Sequence, residues 1–158
     1  MKYSILFLFL YPLFSFAQGD AVPMKRANKI IVTNDKTTRE NFVHLQEILL
    51  QKGYTVSINR STFTVQTKDS LLSEGNILYS LKGQAQGDSV ILTGQYHSIV
   101  ESSMLGGRPM EFSYEISNIG GRSSVSKKLF GFLDETAKAV GGKLIYLREK
   151  KKRNGVIF

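Results

Sequence analysis

Few side chains in this sequence are of the types that act in catalysis or metal binding, and they do not have the spacing of the common catalytic or metal-binding motifs. The chain has two histidines and no cysteine. It contains no HExxH zinc pattern, no GxSxG nucleophile turn and no phosphate-binding loop. Glu40, His44 and Glu47 share one face of a predicted helix, where they could offer ligands to a metal ion. Structural zinc sites need four ligands, usually with thiolates or more histidines, so a solvated helix face is the favoured interpretation.

The second histidine and one glycine-rich turn complete the survey of reactive groups. His97 lies on the polar side of a predicted strand, four residues before Glu101. Residues four apart on a strand are separated by roughly 13 Å, too far to share an ion. Residues 120–124 (Gly-Gly-Arg-Ser-Ser) precede a predicted helix and could bind an anion on free N–H groups, but any serine-capped helix start has these features, so a capped turn is the favoured interpretation. We therefore expect no catalytic site, no metal and no cofactor.

The elements around these residues follow from clear hydrophobic patterns. Thr37 and Glu40 predict a capping box at the start of a helix that ends before Gly53. Alternation of apolar and polar residues over 54–59, 63–68, 77–81, 90–96 and 111–117 predicts antiparallel strands with one covered face. A second helix should begin after Ser123 or Ser124 and end before Gly141. Its apolar stripe comprises Val125, Leu129, Phe132, Leu133, Ala137 and Val140, with Phe132 expected at its buried centre.

Together these elements predict an α+β fold, in which an antiparallel sheet carries two helices packed on one face. The expected order is β-α-β-β-β-β-β-α-β, in a single domain over residues 28–147. Residues 18–27 are expected to form a flexible lead-in before the domain. Without cysteine, the stability of the domain must come from packing.

The first residues have the pattern of a signal peptide. Lys2 precedes the apolar run Ile5–Phe16, and Ser15-Phe16-Ala17 supplies a cleavage site, which predicts a signal peptide over residues 1–17. The run is shorter than the roughly 20 residues that a membrane span needs. No cysteine follows it, so the sequence predicts no lipoprotein anchor. We expect an exported, soluble protein of the periplasm or the extracellular space.

The net charge of +8 is concentrated near the C-terminus. The residues concerned are Arg148, Lys150, Lys151, Lys152 and Arg153, in a predicted tail over 148–158. This tail could contact an anionic membrane surface, or it could be a frayed, solvated end. The polar face of the sheet lacks the cations and stacking aromatics of nucleic-acid platforms, so we expect no nucleic-acid partner.

One long connection between predicted strands is unusually apolar. Exposed apolar side chains in loops often contact a partner, although they can also be covered locally. The residues proposed for partner contact are Ile99, Val100, Met104, Leu105 and Arg108.

The order of elements and three short patterns resemble a group of small exported bacterial domains. The patterns are Thr37-x-x-Glu40, Leu50-x-x-Gly53-Tyr54, and Ser126-Lys127-Lys128-Leu129-Phe130 at the start of the second helix. Over residues 28–147 the chain is similar to domains of TATA-binding-protein-like (TBP-like) or helix-grip fold, such as that of the outer-membrane assembly lipoprotein BamC. The resemblance implies a non-enzymatic domain, and it transfers no functional residue.

Two functions are consistent with these observations. The first is a non-catalytic interaction module of the bacterial cell envelope, bound to another envelope protein. The alternative is a carrier of a small apolar ligand, held in a pocket between helix and sheet and lined by Tyr79, Tyr96, Phe112 and Tyr114. These aromatic residues could equally fill the core, so the two hypotheses differ in whether that space is hollow.

Overall fold

The computed structural model describes residues 22–72, 77–101 and 109–149. The chain forms an antiparallel sheet and two α-helices, which confirms the predicted α+β class. The helices are α1 (Thr38–Gln51) and α2 (Val125–Val140). The strands are β1 (Lys29–Thr33), β2 (Val56–Asn59), β3 (Thr64–Thr67), β4 (Ser70–Leu71), β5 (Ile77–Gln86), β6 (Ser89–Glu101), β7 (Pro109–Glu115) and β8 (Lys143–Leu147). The order differs from the prediction only by β4, a two-residue strand too short for an alternating pattern to reveal.

The sheet is built around the long hairpin of β5 and β6. Its order is β2-β3-β5-β6-β1-β8, and every pairing is antiparallel. The hairpin turns at Gly87 and Asp88, as predicted, with Gly87 at a φ of +60°. The first residues of β6 pair with β1, whereas residues 95–101 pair with β7. β6 therefore has two successive neighbours along one edge.

Both helices pack on the same face of the sheet, and side chains fill the space beneath them. Leu45 of α1 and Leu129 and Leu133 of α2 are fully buried. Leu45 lies over Gly83, where an added Cβ would collide with its side chain and come within 2.9 Å of Leu92. Since even one methyl group has no room at Gly83, this part of the interface is packed rather than hollow.

The predicted phase of α2 needs one correction. Phe130 is buried, and its ring centroid lies 6.3 Å from that of Tyr146 on β8. Phe132, which was expected at the centre of the buried stripe, is only half buried and packs at the margin against Tyr79. The cause is that α2 packs against α1 as well as the sheet, so a broad arc including Ser126 and Thr136 is buried.

The start of α1 confirms the predicted capping box. Thr37 Oγ1 accepts a hydrogen bond from Glu40 N at 3.3 Å, and the Glu40 carboxylate accepts one from Thr37 N at 2.8 Å. Hydrogen bonds from the backbone and then the side chain of Thr37 lower the pKa of Glu40. A lowered pKa means that ionised Glu40 stabilises the folded state at neutral pH, and that this stabilisation is lost as the pH falls through the folded-state pKa.

We therefore expect Glu40→Gln to destabilise the protein at pH 7 and to lose most of this effect in acid. Urea denaturation of the wild type and the variant from pH 7 to pH 3 measures the difference. The difference should begin to shrink once the pH falls below about 4.3, the ordinary pKa of glutamate. Asp69→Asn, at an exposed carboxylate for which the described residues show no ion pair, is the control. A Glu40 difference that stayed constant across this range would contradict the capping interpretation.

Residues 22–27 are held against the turn that precedes α2. Asn118 Nδ2 donates to the carbonyl oxygens of Pro23 and Met24 at 3.2 and 3.1 Å, and Asn118 N donates to the Ala27 carbonyl. Ala27 is fully buried. Residues 22–27 of the predicted lead-in therefore pack against the domain. Among the described residues, no helix is long and apolar enough to cross a membrane.

Candidate functional site

Residues 95–101 of β6 pair with residues 109–115 of β7, and we call this part of the sheet the arm. The arm carries aromatic side chains. Tyr79 of β5, Tyr96 of β6 and Tyr114 of β7 stand side by side across three strands. The next row pairs Ser98 with Phe112. Leu81, in the register row below Tyr79, is buried in the core, so the aromatic residues lie on the sheet face that the helices cover elsewhere.

Three of these side chains form what we call the aromatic surface: Tyr96, Phe112 and Tyr114. The rings of Tyr96 and Tyr114 are stacked, with centroids 5.2 Å apart and planes inclined by 24°. Phe112 is 40% exposed and Tyr114 is 46% exposed. Exposure of this size is unusual for neighbouring aromatic side chains on one face of a sheet.

Alternation correctly placed Phe112 and Tyr114 on the helix side of the sheet, but the expectation that this side is covered is wrong for β7. The main packing partner of β7 is β6, whereas α2 packs on β1, β6 and α1. The alternation of apolar and polar residues along a strand shows on which face of the sheet each side chain lies. It gives no information on how much of that face a helix covers.

The aromatic surface rests on a rigid support. Tyr79 is buried, and its ring centroid lies 5.7 Å from that of Phe132 on α2. The hydroxyl groups of Tyr79 and Tyr54 are 3.3 Å apart. Burial, and then the hydrogen bond to Tyr79, raise the pKa of Tyr54 well above its ordinary value. Tyr54 therefore stays protonated at neutral pH, and this support carries no charge.

Tyr96 connects this surface to α2. Burial, with Tyr114 as the second cause, raises the pKa of Tyr96, and the neighbouring Ser126 in the first turn of α2 opposes this rise. Ser126 Oγ in turn donates to the Ser117 carbonyl oxygen at 2.9 Å. These contacts fix one side of the aromatic surface in place.

The opposite face of the same arm holds His97, whose partner is not the predicted neighbour Glu101. His97 Nδ1 lies 3.0 Å from a carboxylate oxygen of Glu111, close enough for an ion pair, although the two atoms are not aligned as a hydrogen bond. Ser113 stands directly across from His97. Within the described residues, no hydrogen bond joins the Ser113 hydroxyl to the imidazole.

The predicted metal and anion positions have simpler roles in the structure. The carboxylate of Glu40 is used in the capping box, and His44 Nδ1 lies 4.0 Å from Glu47. Over residues 22–72, 77–101 and 109–149, no three histidine or acidic side chains are grouped to hold a metal ion. Ser124 caps α2, accepting from Lys127 N and donating to the Ile119 carbonyl oxygen at 2.6 Å.

The residues predicted for partner and membrane contact are described only in part. Ile99 and Val100 pair with Glu111 and Met110 across β6 and β7, at the far end of the arm that carries the aromatic surface. Met104, Leu105 and Arg108 lie outside the described residues. Arg148 is exposed next to Glu149, whose N–H donates to Asn28 Oδ1 at 2.8 Å. Lys150, Lys151, Lys152 and Arg153 also lie outside the described residues.

A concave feature that no sequence pattern predicted lies between α1 and the turn that joins β2 to β3. We call it the α1 cleft; it has a volume of about 470 Å³. Its lining residues are Arg39, Phe42, Val43, Gln46, Arg60 and Phe63. Val43 interrupts the polar face of α1 and is 44% exposed. The left-handed backbone conformation that places Phe63 in the cleft is not predictable from the sequence, because phenylalanine rarely adopts it.

Comparison with known proteins yields similar solved structures and no family. No family model matches the chain, and no curated protein matches it. One of these solved structures is described as a TBP-like protein from Parabacteroides distasonis ATCC 8503. It is 16% identical, with a TM-score of 0.39, over 73% of this chain and 96% of the other. The fold class therefore rests on the element order and pairing described above, and function must be argued from the surfaces of this chain.

Proposed function

We propose that this chain is an exported, non-catalytic interaction module of the bacterial cell envelope, and that it binds an apolar segment of another envelope protein through its aromatic surface. The observation that carries the proposal is the exposure of Phe112 and Tyr114 beside the stacked Tyr96. Export follows from the signal-peptide pattern of residues 1–17, and the resemblance to small exported bacterial domains supports the same setting.

The chemistry of the aromatic surface suits protein contact. Tyrosine and phenylalanine bring large contact areas at little cost in side-chain entropy, and tyrosine is enriched among residues that dominate binding energy. A hydroxyl group at the edge of each tyrosine ring can accept or donate a hydrogen bond at the rim of an interface. Because Tyr79 and Phe132 support the aromatic surface, it is preorganised, and little conformational entropy is lost on binding.

The packing of the interior favours this function over the enclosed carrier. An apolar ligand between helix and sheet would need space where Leu45, Leu129 and Leu133 now lie fully buried. Gly94 is covered by Ile116, whose Cδ1 would lie 2.6 Å from an added Cβ. Tyr79 fills core space, while Phe112 and Tyr114 face outward from it. Of the four aromatic residues that were expected to line a pocket, Tyr79 therefore belongs to the core, and Phe112 and Tyr114 are exposed.

Photo-crosslinking in the native host tests the proposal. A photoreactive phenylalanine analogue placed at Phe112 or Tyr114 should give a discrete adduct with an envelope protein. The same analogue at Gln66, which is exposed on the opposite face of the sheet, should give none. Adducts of equal yield from both faces would show that the aromatic surface is not the contact surface.

We also propose that the basic segment Arg148–Arg153 makes weak contact with anionic membrane surfaces. Five cations lie within six residues, and each basic side chain near anionic lipid contributes about 1 kcal/mol. Sedimentation with anionic vesicles should therefore decrease between about 0.1 M and 1 M salt, over which the Debye length falls from ~10 Å to ~3 Å.

Truncation after Glu149 is the matched variant for this experiment, because it keeps the hydrogen bonds between Glu149 and Asn28. We expect the truncated protein to remain folded and to lose sedimentation with the vesicles. Equal sedimentation of the full-length and truncated proteins would leave the segment as a solvated end.

A further inference from the structure

We propose that the α1 cleft binds a small amphipathic carboxylate, with the apolar tail against Phe42 and Phe63 and the carboxylate between Arg39 and Arg60. This site is separate from the aromatic surface and does not depend on the function proposed for it. It also differs from the predicted carrier pocket, because it lies between α1 and the β2–β3 turn at the edge of the sheet and is not lined by Tyr79, Tyr96, Phe112 or Tyr114.

The floor of the α1 cleft is aromatic and closely packed. The rings of Phe42 and Phe63 meet edge to face, with centroids 5.7 Å apart and planes at 82°. Phe42 is buried, and Phe63 is half buried and open to the cleft. Val43, which is 44% exposed, extends the apolar wall along α1. The volume of about 470 Å³ lies within the range of pockets that hold small organic ligands.

The rim of the cleft carries two cations without a counterion. Arg39 projects from α1 and Arg60 from the turn between β2 and β3, and both are exposed. Across the described ranges, neither guanidinium forms an ion pair or hydrogen bond with the protein. No acidic residue lines this cleft. Because guanidinium groups bind carboxylates with two parallel hydrogen bonds, the charge at the rim selects an anionic head group.

The turn that supplies Arg60 and Phe63 is held in a fixed shape. Asn59 Oδ1 accepts hydrogen bonds from Ser61 N, Ser61 Oγ and Thr62 N, at 3.1, 2.7 and 3.3 Å. Phe63 has a φ of +47°, a left-handed conformation that is unfavourable for a bulky side chain. Its carbonyl oxygen accepts from Ala85 N at 3.0 Å. The backbone thus keeps an aromatic ring where glycine or asparagine would fit with less strain.

The occupant follows from these two parts. A flat hydrophobic compound would leave the rim cations unused, and a fully polar anion would gain nothing from the phenylalanine floor. A monocarboxylate with an aliphatic or aryl tail satisfies both, because its charge and its apolar surface are at opposite ends.

Titration of the isotope-labelled protein with sodium decanoate, below its micelle concentration, tests the proposal by NMR. We expect saturable shifts of amide signals in residues 39–46 and 60–63. Arg39→Gln combined with Arg60→Gln should weaken binding at least about tenfold, because each charge-assisted hydrogen bond is worth that much or more. Decyltrimethylammonium, with the same tail and the opposite charge, should bind at least about tenfold more weakly than decanoate.

Three variants show whether decanoate binds in the cleft itself. Arg122→Gln, an exposed arginine in the turn before α2, should leave the decanoate affinity unchanged. Phe112→Ser combined with Tyr114→Ser should also leave it unchanged, so that failure of one site is not mistaken for failure of the other. Phe63→Asn suits the left-handed backbone, so we expect a folded protein with weakened decanoate binding.

Several results would overturn the proposal. These are shifts that do not saturate, shifts centred outside the cleft, an affinity insensitive to the double arginine variant, or equal affinity for the cationic and anionic probes.

Discussion

Phe130→Ala is expected to lower the free energy of unfolding by about 3–5 kcal/mol, the usual cost of removing a buried phenylalanine ring. Phe130 of α2 is 2% exposed and packs against Tyr146 of β8. Phe132→Ala should cost less, because that ring is only partly buried at the margin of the core, where it contacts Tyr79. Urea denaturation monitored by circular dichroism measures both differences.

An exposed position on the same helix provides the control for this comparison. Lys127→Ala should change the free energy of unfolding by less than about 0.5 kcal/mol. A larger loss for Phe132→Ala than for Phe130→Ala would show that α2 is rotated relative to the orientation described here. It would also mean that the support beneath Tyr79 is wrongly assigned.

The sequence was informative where a local pattern has one structural meaning. Thr37 and Glu40 form the predicted capping box, Ser124 caps α2, and Gly53 follows α1 with a φ of +83°. The β5–β6 turn also lies at the predicted residues. Each of these features depends on hydrogen bonds or backbone angles within a few residues of chain, which is why composition and spacing reveal them.

Features set by distant parts of the chain were predicted less well. The two phenylalanines of α2 differ in burial because α2 contacts α1 and the sheet together, and a single-stripe pattern cannot represent two contact surfaces. Likewise, Tyr114 lies on the predicted face of β7, but its exposure depends on how far α2 reaches along the sheet. The α1 cleft was missed because Arg39 and Arg60 come together only in the folded chain.

The second large effect is expected from the aromatic surface. Replacing Phe112 and Tyr114 by serine removes most of its exposed aromatic area and leaves the buried core residues unchanged, because Phe112 and Tyr114 are 40% and 46% exposed and lie outside that core. We expect the double variant to remain folded and to lose at least about 90% of its complex with the envelope partner, since truncation of a central aromatic contact costs about 2 kcal/mol or more. The control is Gln66→Ala combined with Lys82→Ala, a pair that stands directly opposed on the outer face.

The most direct test of the proposed function is photo-crosslinking in cells from Tyr114, compared with Gln66. We expect one discrete adduct from position 114 that disappears when Phe112→Ser is introduced alongside, and no adduct from position 66. A position-114 analogue that yields no adduct, or one whose adduct persists unchanged with Phe112→Ser, would contradict the assignment of the aromatic surface as the binding surface.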